Sequence, residues 1–201
     1  MALRRPRRRG EGEVTHCRRF LDETAEIASL INVEKVEALV RELVFLKLRK
    51  GRLFVIGLGG SAANASHAVN DLRKLCEIEA YAPTDNVAEL TARANDEGWE
   101  TIFSNLFFNT GDALFVFSVG GGGDTVSLPI KKAVSWAKSN GMRVLGIVGR
   151  DGGYTAEHAD CCIIIPTVVP ERVTPHTEAF QSVILHCLVS HPDLQVNKTK
   201  W

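Results

Sequence analysis

Apolar positions along this chain change their spacing near residue 50. Between residues 13 and 48 they recur three or four positions apart, which predicts two helices separated at Asn32. Beyond residue 50, short apolar runs alternate with amphipathic segments. The runs predict strands at 53–57, 78–81, 113–118, 143–148 and 161–165, and the segments predict helices at 61–74, 86–94, 98–107, 127–139 and 173–190.

Most of the predicted strands are apolar at nearly every position, as in a parallel sheet whose two faces are both covered by helices. Strands that alternate with helices indicate the α/β class. We therefore expect a three-layer sandwich, with a five-stranded parallel sheet flanked by helices and preceded by an N-terminal helical pair. A single domain is predicted at 13–195, between a basic head at 1–12 and a tail at 196–201.

Composition and charge narrow the class of protein. The 201 residues are 45% hydrophobic and 24% charged with zero net charge, so bulk charge does not favour binding to nucleic acid. Arginines crowd residues 4–9, where a block of like charge predicts a disordered head or, alternatively, a contact with a phosphate polymer. This head lacks the apolar core of a signal peptide, and the apolar runs of the chain are too short to span a membrane. The five cysteines are odd in number and lack a Cys-x-x-Cys pair, which indicates a reducing, cytoplasmic setting.

Two of the predicted strands run into loops of glycine and serine, at residues 57–61 and 118–127. Glycines let the backbone approach an anion, and the N–H groups that open the following helix attract it. The carboxyl ends of parallel strands are also where α/β sheets bind ligands. We predict one phosphorylated ligand between the two loops, held by Gly59, Gly60, Ser61, Ser118, Gly120, Gly121, Thr125 and Ser127.

Each loop also has a plainer interpretation. The first fits a loose dinucleotide fingerprint, with Glu77 or Glu79 as the acid that follows about 20 residues on. That interpretation leaves the second loop unexplained, and neither acid lies clearly at the end of the second predicted strand. The second loop could be a flexible connection, but its place at the carboxyl end of a predicted parallel strand favours an anion site. Ser127 is also expected to cap the next helix.

Titratable side chains cluster on two of the predicted helices. His67 and Asp71 are four residues apart and share a face. Glu178 and His186 are eight apart on the last helix, about 12 Å along its axis, so both could approach one ion or one sugar carbon. The plainer interpretations are a surface ion pair for the first two and a core histidine for His186. The occurrence of both pairs in a phosphate-binding fold favours function.

Over residues 15–190 these segments together resemble the SIS (sugar isomerase) family, which has a flavodoxin-like fold, and within it the phosphoheptose isomerases. Residues 59–61 resemble the family's first phosphate loop, and residues 90–98, 149–153 and 177–186 resemble three of its other motifs. By residue type alone Asn95 and Asp96 predict a turn. The resemblance makes them, and Gln181 of the last helix, candidate contacts for the substrate.

The chain departs from the family's pattern at several positions. Leu58 stands where the family usually has asparagine, and the second loop is rich in glycine instead of serine and about four residues longer. Asp71 stands at the place of the family's catalytic glutamate, and Glu178 at the place of a glutamine. With His67 and His186 these two still match the spacing of a zinc site found in some members, since carboxylates also bind zinc.

The resemblance implies an aldose–ketose isomerase that converts sedoheptulose 7-phosphate to D-glycero-D-manno-heptose 7-phosphate through an enediol. Asp71 is then the base and His186 its acid/base partner, with Glu178 as the alternative base. A Zn²⁺ ion held by His67, Asp71, Glu178 and His186 would polarise the carbonyl. The resemblance also implies a homotetramer with active sites at subunit interfaces. From the residues themselves we expect no nucleotide cofactor and no association with a membrane. The alternative is a non-catalytic SIS module that senses sugar phosphates or binds a replication-initiator protein.

Overall fold

Five parallel strands form the sheet, in the order β2-β1-β3-β4-β5. They are β1 (Leu53–Ile56), β2 (Ala80–Tyr81), β3 (Ala113–Ser118), β4 (Arg143–Val148) and β5 (Cys161–Ile164). The computed structural model describes residues 14–104, 109 and 111–199, so the predicted basic head and the last two residues of the predicted tail lie outside the described part. Because β2 and β3 flank β1 on opposite sides, the carboxyl ends of β1 and β3 border the crevice in which such sheets bind ligands.

Helices cover both faces of the sheet. They are α1 (His16–Leu30), α2 (Val33–Leu48), α3 (Gly60–Cys76), α4 (Val87–Asp96), α5 (Leu128–Ser139), α6 (Gly153–His158) and α7 (Val173–Val189). One face packs under α2, α3 and α7, where Leu43, Leu72 and Leu185 are buried. The other packs under α5, where Ile130 and Val134 are buried. The three-layer sandwich and the N-terminal helical pair are thereby confirmed. Across the described ranges, no helix combines the length and apolar character needed to cross a bilayer.

The break between α1 and α2 falls at Asn32, as the sequence predicts. Asn32 Oδ1 accepts a hydrogen bond from the Lys35 N–H at 2.9 Å and so caps α2. At the start of α1, Thr15 Oγ1 accepts from the Arg18 N–H at 3.1 Å. These two side chains satisfy N–H groups that lack a partner in the first turn, which fixes where each helix begins.

The predicted helix at 98–107 is wrong in its described part. Only a short 3₁₀ turn forms there, at Trp99–Thr101, and the following Ile102 and Phe103 are buried in the core. Gly98, with a φ of 96°, begins this turn outside the helical region. Burial of these two large apolar side chains, directly after the short turn, therefore outweighs the helical pattern. Residues 105–108 lie outside the described part.

Two further local predictions are corrected near the sheet. Asn95 and Asp96 were expected to form a turn in a loop, but they make the last turn of α4. Helix α6, between β4 and β5, was not predicted at all. It has only six residues, so its apolar positions are too few to establish a periodicity.

A charged cluster joins helix α1 to α7 and to Arg172, the residue just before α7, and Ile27 is the single buried side chain of α1. Glu23 accepts hydrogen bonds from Arg172 Nε at 2.7 Å and from Arg172 Nη2 at 2.6 Å, and its carboxylate lies 2.9 Å from His176 Nε2. The His176 ring also stacks on Phe20, with centroids 4.3 Å apart. Hydrogen bonds from Arg172, and then from His176, lower the pKa of Glu23 from 4.5 to about 2.

This lowered pKa makes the attachment of α1 sensitive to acid. The carboxylate's contribution to stability is complete above the ordinary pKa of 4.5 and is lost as the pH falls toward about 2. We expect the urea midpoint of the protein to decrease more steeply between pH 5 and pH 2.5 than that of Glu23→Gln. The exposed acid Glu26, on the same helix, provides the control variant Glu26→Gln. Equal pH slopes for the protein and Glu23→Gln would contradict the assignment.

Candidate active site

A cavity of about 500 Å³ opens at the carboxyl ends of the central strands. Its walls come mainly from residues 118–127, here called the second glycine loop, and from the turn at 150–153. Leu58, Ser61 and Thr174 close the remaining sides. The volume suits a small metabolite. Of the predicted ligand contacts, the following line this cavity: Ser61, Ser118, Gly120, Thr125 and Ser127.

Close backbone packing explains why the second glycine loop is rich in glycine. Gly121 has a φ of 67°, and a Cβ at this position would collide with the carbonyl of Gly152 in the next turn. The Gly121 carbonyl accepts hydrogen bonds from Thr155, from its N–H at 2.9 Å and from Oγ1 at 2.7 Å. The Gly122 carbonyl accepts one from the Tyr154 N–H at 3.1 Å. Because these carbonyls are bonded to α6, the loop is held by specific contacts and is not a loose connection.

The serines at the two ends of this loop make different contacts. Ser118 Oγ accepts a hydrogen bond from the Gly121 N–H at 3.0 Å, and its own O–H can still act as a donor. Ser127 occupies the N-cap position of α5, but its side chain makes no capping bond, contrary to prediction. A φ of 55° places Ser127 in the left-handed region, and its side chain lines the cavity instead.

The first glycine loop contributes less to the cavity than predicted. Gly59 is the N-cap residue of α3, with a φ of 60°, and the helix begins at Gly60, one residue before the predicted start at Ser61. A Cβ on Gly60 would lie 2.6 Å from Cδ of Glu178, so this carboxylate covers the beginning of α3. A carboxylate is favourable there because the helix N-terminus is partly positive. Neither Gly59 nor Gly60 lines the cavity.

A network of polar side chains joins α3 to α7 behind the cavity. Asn64 Nδ2 donates to Gln181 Oε1 and to the backbone carbonyl of Glu178, both at 2.9 Å. Gln181 Nε2 donates to Ser61 Oγ at 3.0 Å, and Ser182 Oγ donates to Asn64 Oδ1 at 3.1 Å. Gln181, a predicted substrate contact, is fully buried, and its amide group forms hydrogen bonds to Asn64 and Ser61 within the protein. The network holds the two helices in one register.

Farther along the same two helices, a carboxylate and two imidazoles come together. Ligand atoms of His67, Asp71 and His186 all lie within 4.8 Å of one another. Asp71 Oδ2 is 3.2 Å from His67 Nε2 and 3.7 Å from His186 Nδ1. Asp71 is buried, whereas the histidine side chains are 44% and 53% exposed. His67 and Asp71, which share a helix face in the prediction, are therefore close in the structure, and His186 lies beside them.

The donor set of this cluster fits a metal ion. Asp71 Oδ2 is buried and has no hydrogen-bond partner among the described residues, which is costly unless another group satisfies it. Two imidazoles and a carboxylate are zinc ligands in open, catalytic-type sites. Glu178, the fourth predicted ligand, is not part of this cluster, because its carboxylate lies against Gly60 at the other end of α3.

Asn95 and Asp96 are not brought to the cavity. Both are exposed at the end of α4, and Asn95 Nδ2 donates to Asp96 Oδ1 at 2.7 Å. Neither residue is among those that line the cavity. Their contact with a substrate stays a prediction.

Sequence reasoning missed Arg150 as a residue of the cavity. It lies in the turn after β4 and lines the cavity beside Gly120, with Nη1 3.9 Å from the position of a Cβ on that glycine. Its φ of 50° is unusual for a residue with a side chain. The motif at 149–153 was recognised in the sequence, but periodicity carries no information about a single left-handed residue.

Comparisons with known proteins agree with this geometry. A family model described as the SIS domain matches residues 19–149. The phosphoheptose isomerase of Geotalea daltonii is 37% identical over 163 residues, which cover 77% of this chain and 80% of that protein. The phosphoheptose isomerase of Rhodospirillum rubrum is 32% identical and is matched over 69% of this chain and 73% of its own length.

Solved structures extend the same likeness to three dimensions. The phosphoheptose isomerase from Neisseria gonorrhoeae superposes with a TM-score of 0.74 at 26% identity, over 85% of this chain and 94% of that one. The glycine loops, the sheet order and the polar face between α3 and α7 thus occur in a chain that matches these proteins along most of its length. The chain belongs to the SIS-domain family, in the branch that includes the phosphoheptose isomerases.

Proposed function

We propose that this protein is an aldose–ketose isomerase that converts sedoheptulose 7-phosphate to D-glycero-D-manno-heptose 7-phosphate. The observation that carries the proposal is the convergence of the buried Asp71 with His67 and His186, in a chain 37% identical to a phosphoheptose isomerase. Proton transfer between neighbouring sugar carbons needs a base and an acid at one place. The cavity at the second glycine loop supplies the complementary phosphate site.

In this reaction the substrate phosphate binds at the second glycine loop, in contact with Ser118, Thr125 and Ser127. Asp71 removes a proton from the carbon next to the carbonyl, and the carbonyl oxygen takes up a proton, which gives an enediol. His186 then delivers a proton to the former carbonyl carbon, while the hydroxyl on the deprotonated carbon loses its proton and becomes the aldehyde oxygen. Since Asp71 is one methylene shorter than glutamate, Glu178 is the alternative base. Its carboxylate lies beside Gly60, closer to the cavity than Asp71 does.

Zn²⁺ is the proposed cofactor, held by His67, Asp71 and His186, with Glu178 as a fourth ligand only if its side chain moves away from Gly60. A Zn²⁺ ion held by these residues would supply a Lewis acid that polarises the substrate carbonyl. No nucleotide cofactor is proposed, because the acid expected of a dinucleotide site would have to be Glu77 or Glu79. Glu77 caps the end of α3 and Glu79 bonds to Tyr81, which leaves neither in the cavity.

We further propose that the protein is a cytoplasmic homotetramer of one domain at 13–195. Large apolar side chains are exposed on the N-terminal helical pair: Leu21, Leu30, Phe45 and Leu48. His67 lies six residues along α3 from Ser61, about 9 Å away, and its side chain is 44% exposed. A neighbouring subunit packed on this surface would complete the site. The five cysteines are free, as a reducing compartment requires.

The test is turnover of sedoheptulose 7-phosphate by the purified protein in D₂O, followed by ¹³C NMR. We expect the aldoheptose phosphate to appear with deuterium on the carbon that receives the proton, because an enediol exchanges with solvent. Added Zn²⁺ should increase the rate and a chelator should decrease it. Binding of the sugar phosphate without isomerisation or deuterium incorporation would instead support a non-catalytic sensing module, which no feature of the described site favours.

A further inference from the structure

Arg150 has a strained backbone conformation, and its positively charged side chain lines the cavity. It is a non-glycine residue with a φ of 50°, which costs conformational energy that glycine in its place would avoid. Backbone strain of this kind persists at ligand sites where the side chain is needed. The guanidinium lies beside Gly120, at the mouth of the second glycine loop.

The charge of Arg150 is not neutralised within the part of the chain that the structure describes, where it forms no ion pair. Its neighbour Asp151 also lines the cavity, but Asp151 Oδ1 accepts a hydrogen bond from the Gly153 N–H at 3.2 Å and is folded back on its own turn. The other cation close to the loop, Lys131, is paired with Asp124. Arg150 is therefore the available positive charge among the described lining residues.

The rest of the cavity can bind a phosphate only through neutral groups. Its hydroxyls come from Ser61, Ser118, Thr125, Ser127 and Thr174, and its remaining donors are backbone N–H groups. A phosphate monoester carries a charge of about −1.5 to −2 at neutral pH. A guanidinium binds such a group through parallel hydrogen bonds that are roughly twice as strong as neutral ones.

We propose that Arg150 binds the phosphate dianion of the substrate and thereby makes the site selective for phosphorylated over free sugars. The identity of the ligand rests on the proposed sugar-phosphate function. The anion site itself could bind phosphate whether or not a reaction follows. Arg150 belongs to the turn after β4 and lies outside both glycine loops.

The test is calorimetric titration of inorganic phosphate and of sedoheptulose 7-phosphate into the full chain and three variants. Arg150→Gly removes the cation and relieves the backbone, Arg150→Lys keeps the charge without the planar fork, and Arg41→Ala removes an exposed arginine of α2 far from the cavity. We expect Arg150→Gly to bind both ligands roughly 10- to 100-fold more weakly. Arg150→Lys should fall between this variant and the unaltered chain, and Arg41→Ala should match the unaltered chain.

Stability and kinetics separate this role from a structural one. Because glycine accepts a positive φ, Arg150→Gly should leave the thermal midpoint unchanged or raise it by about 2–4 °C. If the chain isomerises the sugar, KM should rise far more than kcat falls, since the phosphate lies away from the reacting carbons. Unchanged phosphate affinity in Arg150→Gly would overturn the proposal. Phosphate binding that depends on Arg150 without any turnover would refute the isomerase function alone.

Discussion

Asp71→Asn is expected to reduce turnover of sedoheptulose 7-phosphate by roughly 10²- to 10⁴-fold, the usual contribution of a positioned general base. The substitution keeps the size of the side chain but removes the negative charge that lies 3.2 Å from His67 and 3.7 Å from His186. It also removes an anionic ligand from the candidate metal cluster. The amount of zinc bound per chain should therefore fall together with the rate.

Measurement of kcat and of metal content by plasma emission, side by side, tests this prediction. Asp193→Asn is the matched control, because Asp193 is 77% exposed and lies outside the cluster. Glu178→Gln separates the two candidate bases, since a larger loss of turnover in this variant than in Asp71→Asn would assign the base to Glu178. Asp71→Asn with full activity and full zinc content would refute the proposed role of this cluster.

Gly121→Ala is expected to destabilise the second glycine loop more than any other single methyl added to it. The new Cβ would collide with the Gly152 carbonyl, and alanine disfavours a φ of 67°. We expect the free energy of unfolding to decrease by about 1–3 kcal/mol, as for other overpacked sites. The loop's hydrogen bonds to Thr155 would shift as well, so phosphate affinity should fall in parallel.

Urea unfolding and phosphate titration measure the two effects of Gly121→Ala. Gly123→Ala in the same loop is the control, because a Cβ there would meet only the Val126 carbonyl, at an ordinary 3.6 Å. This control should change stability by less than about 1 kcal/mol, the ordinary conformational difference between glycine and alanine. Equal effects of the two substitutions would show that loop flexibility, and not the packing against Gly152, determines the glycine content.

The parts of this fold that the sequence predicts are those set by long, regular patterns. Apolar runs such as residues 113–118 are buried at all six positions of β3, so their pattern reflects burial directly. The pairing of His67 with Asp71 follows equally well from helical spacing, because both lie on one uninterrupted helix. Asn32 is of a residue type that favours the N-cap position, and the break between the two helices was predictable from it.

The parts that could not be predicted depend on contacts between distant segments. The spacing of Glu178 and His186 in the sequence does not indicate that they contact different partners. In the structure the Glu178 carboxylate lies over Gly60, whereas the His186 ring lies next to Asp71. The left-handed backbone of Arg150 is likewise set by the packing of its turn against the second glycine loop. Such contacts are tertiary, and they decide which of several candidate residues reach the cavity.

Helices α3 and α7 run side by side in the same direction, as successive contacts from Gly60–Glu178 to Asp71–His186 show. The hydrogen bonds of Asn64 prevent one helix from sliding along the other. The separation between the cavity and the two histidines is therefore fixed by helical rise, about 1.5 Å for each residue. With the phosphate in the cavity and the reacting carbons at the histidines, as proposed, we expect a sugar one carbon shorter or longer to fit this fixed separation less well, so that the register of the two helices contributes to selection by chain length.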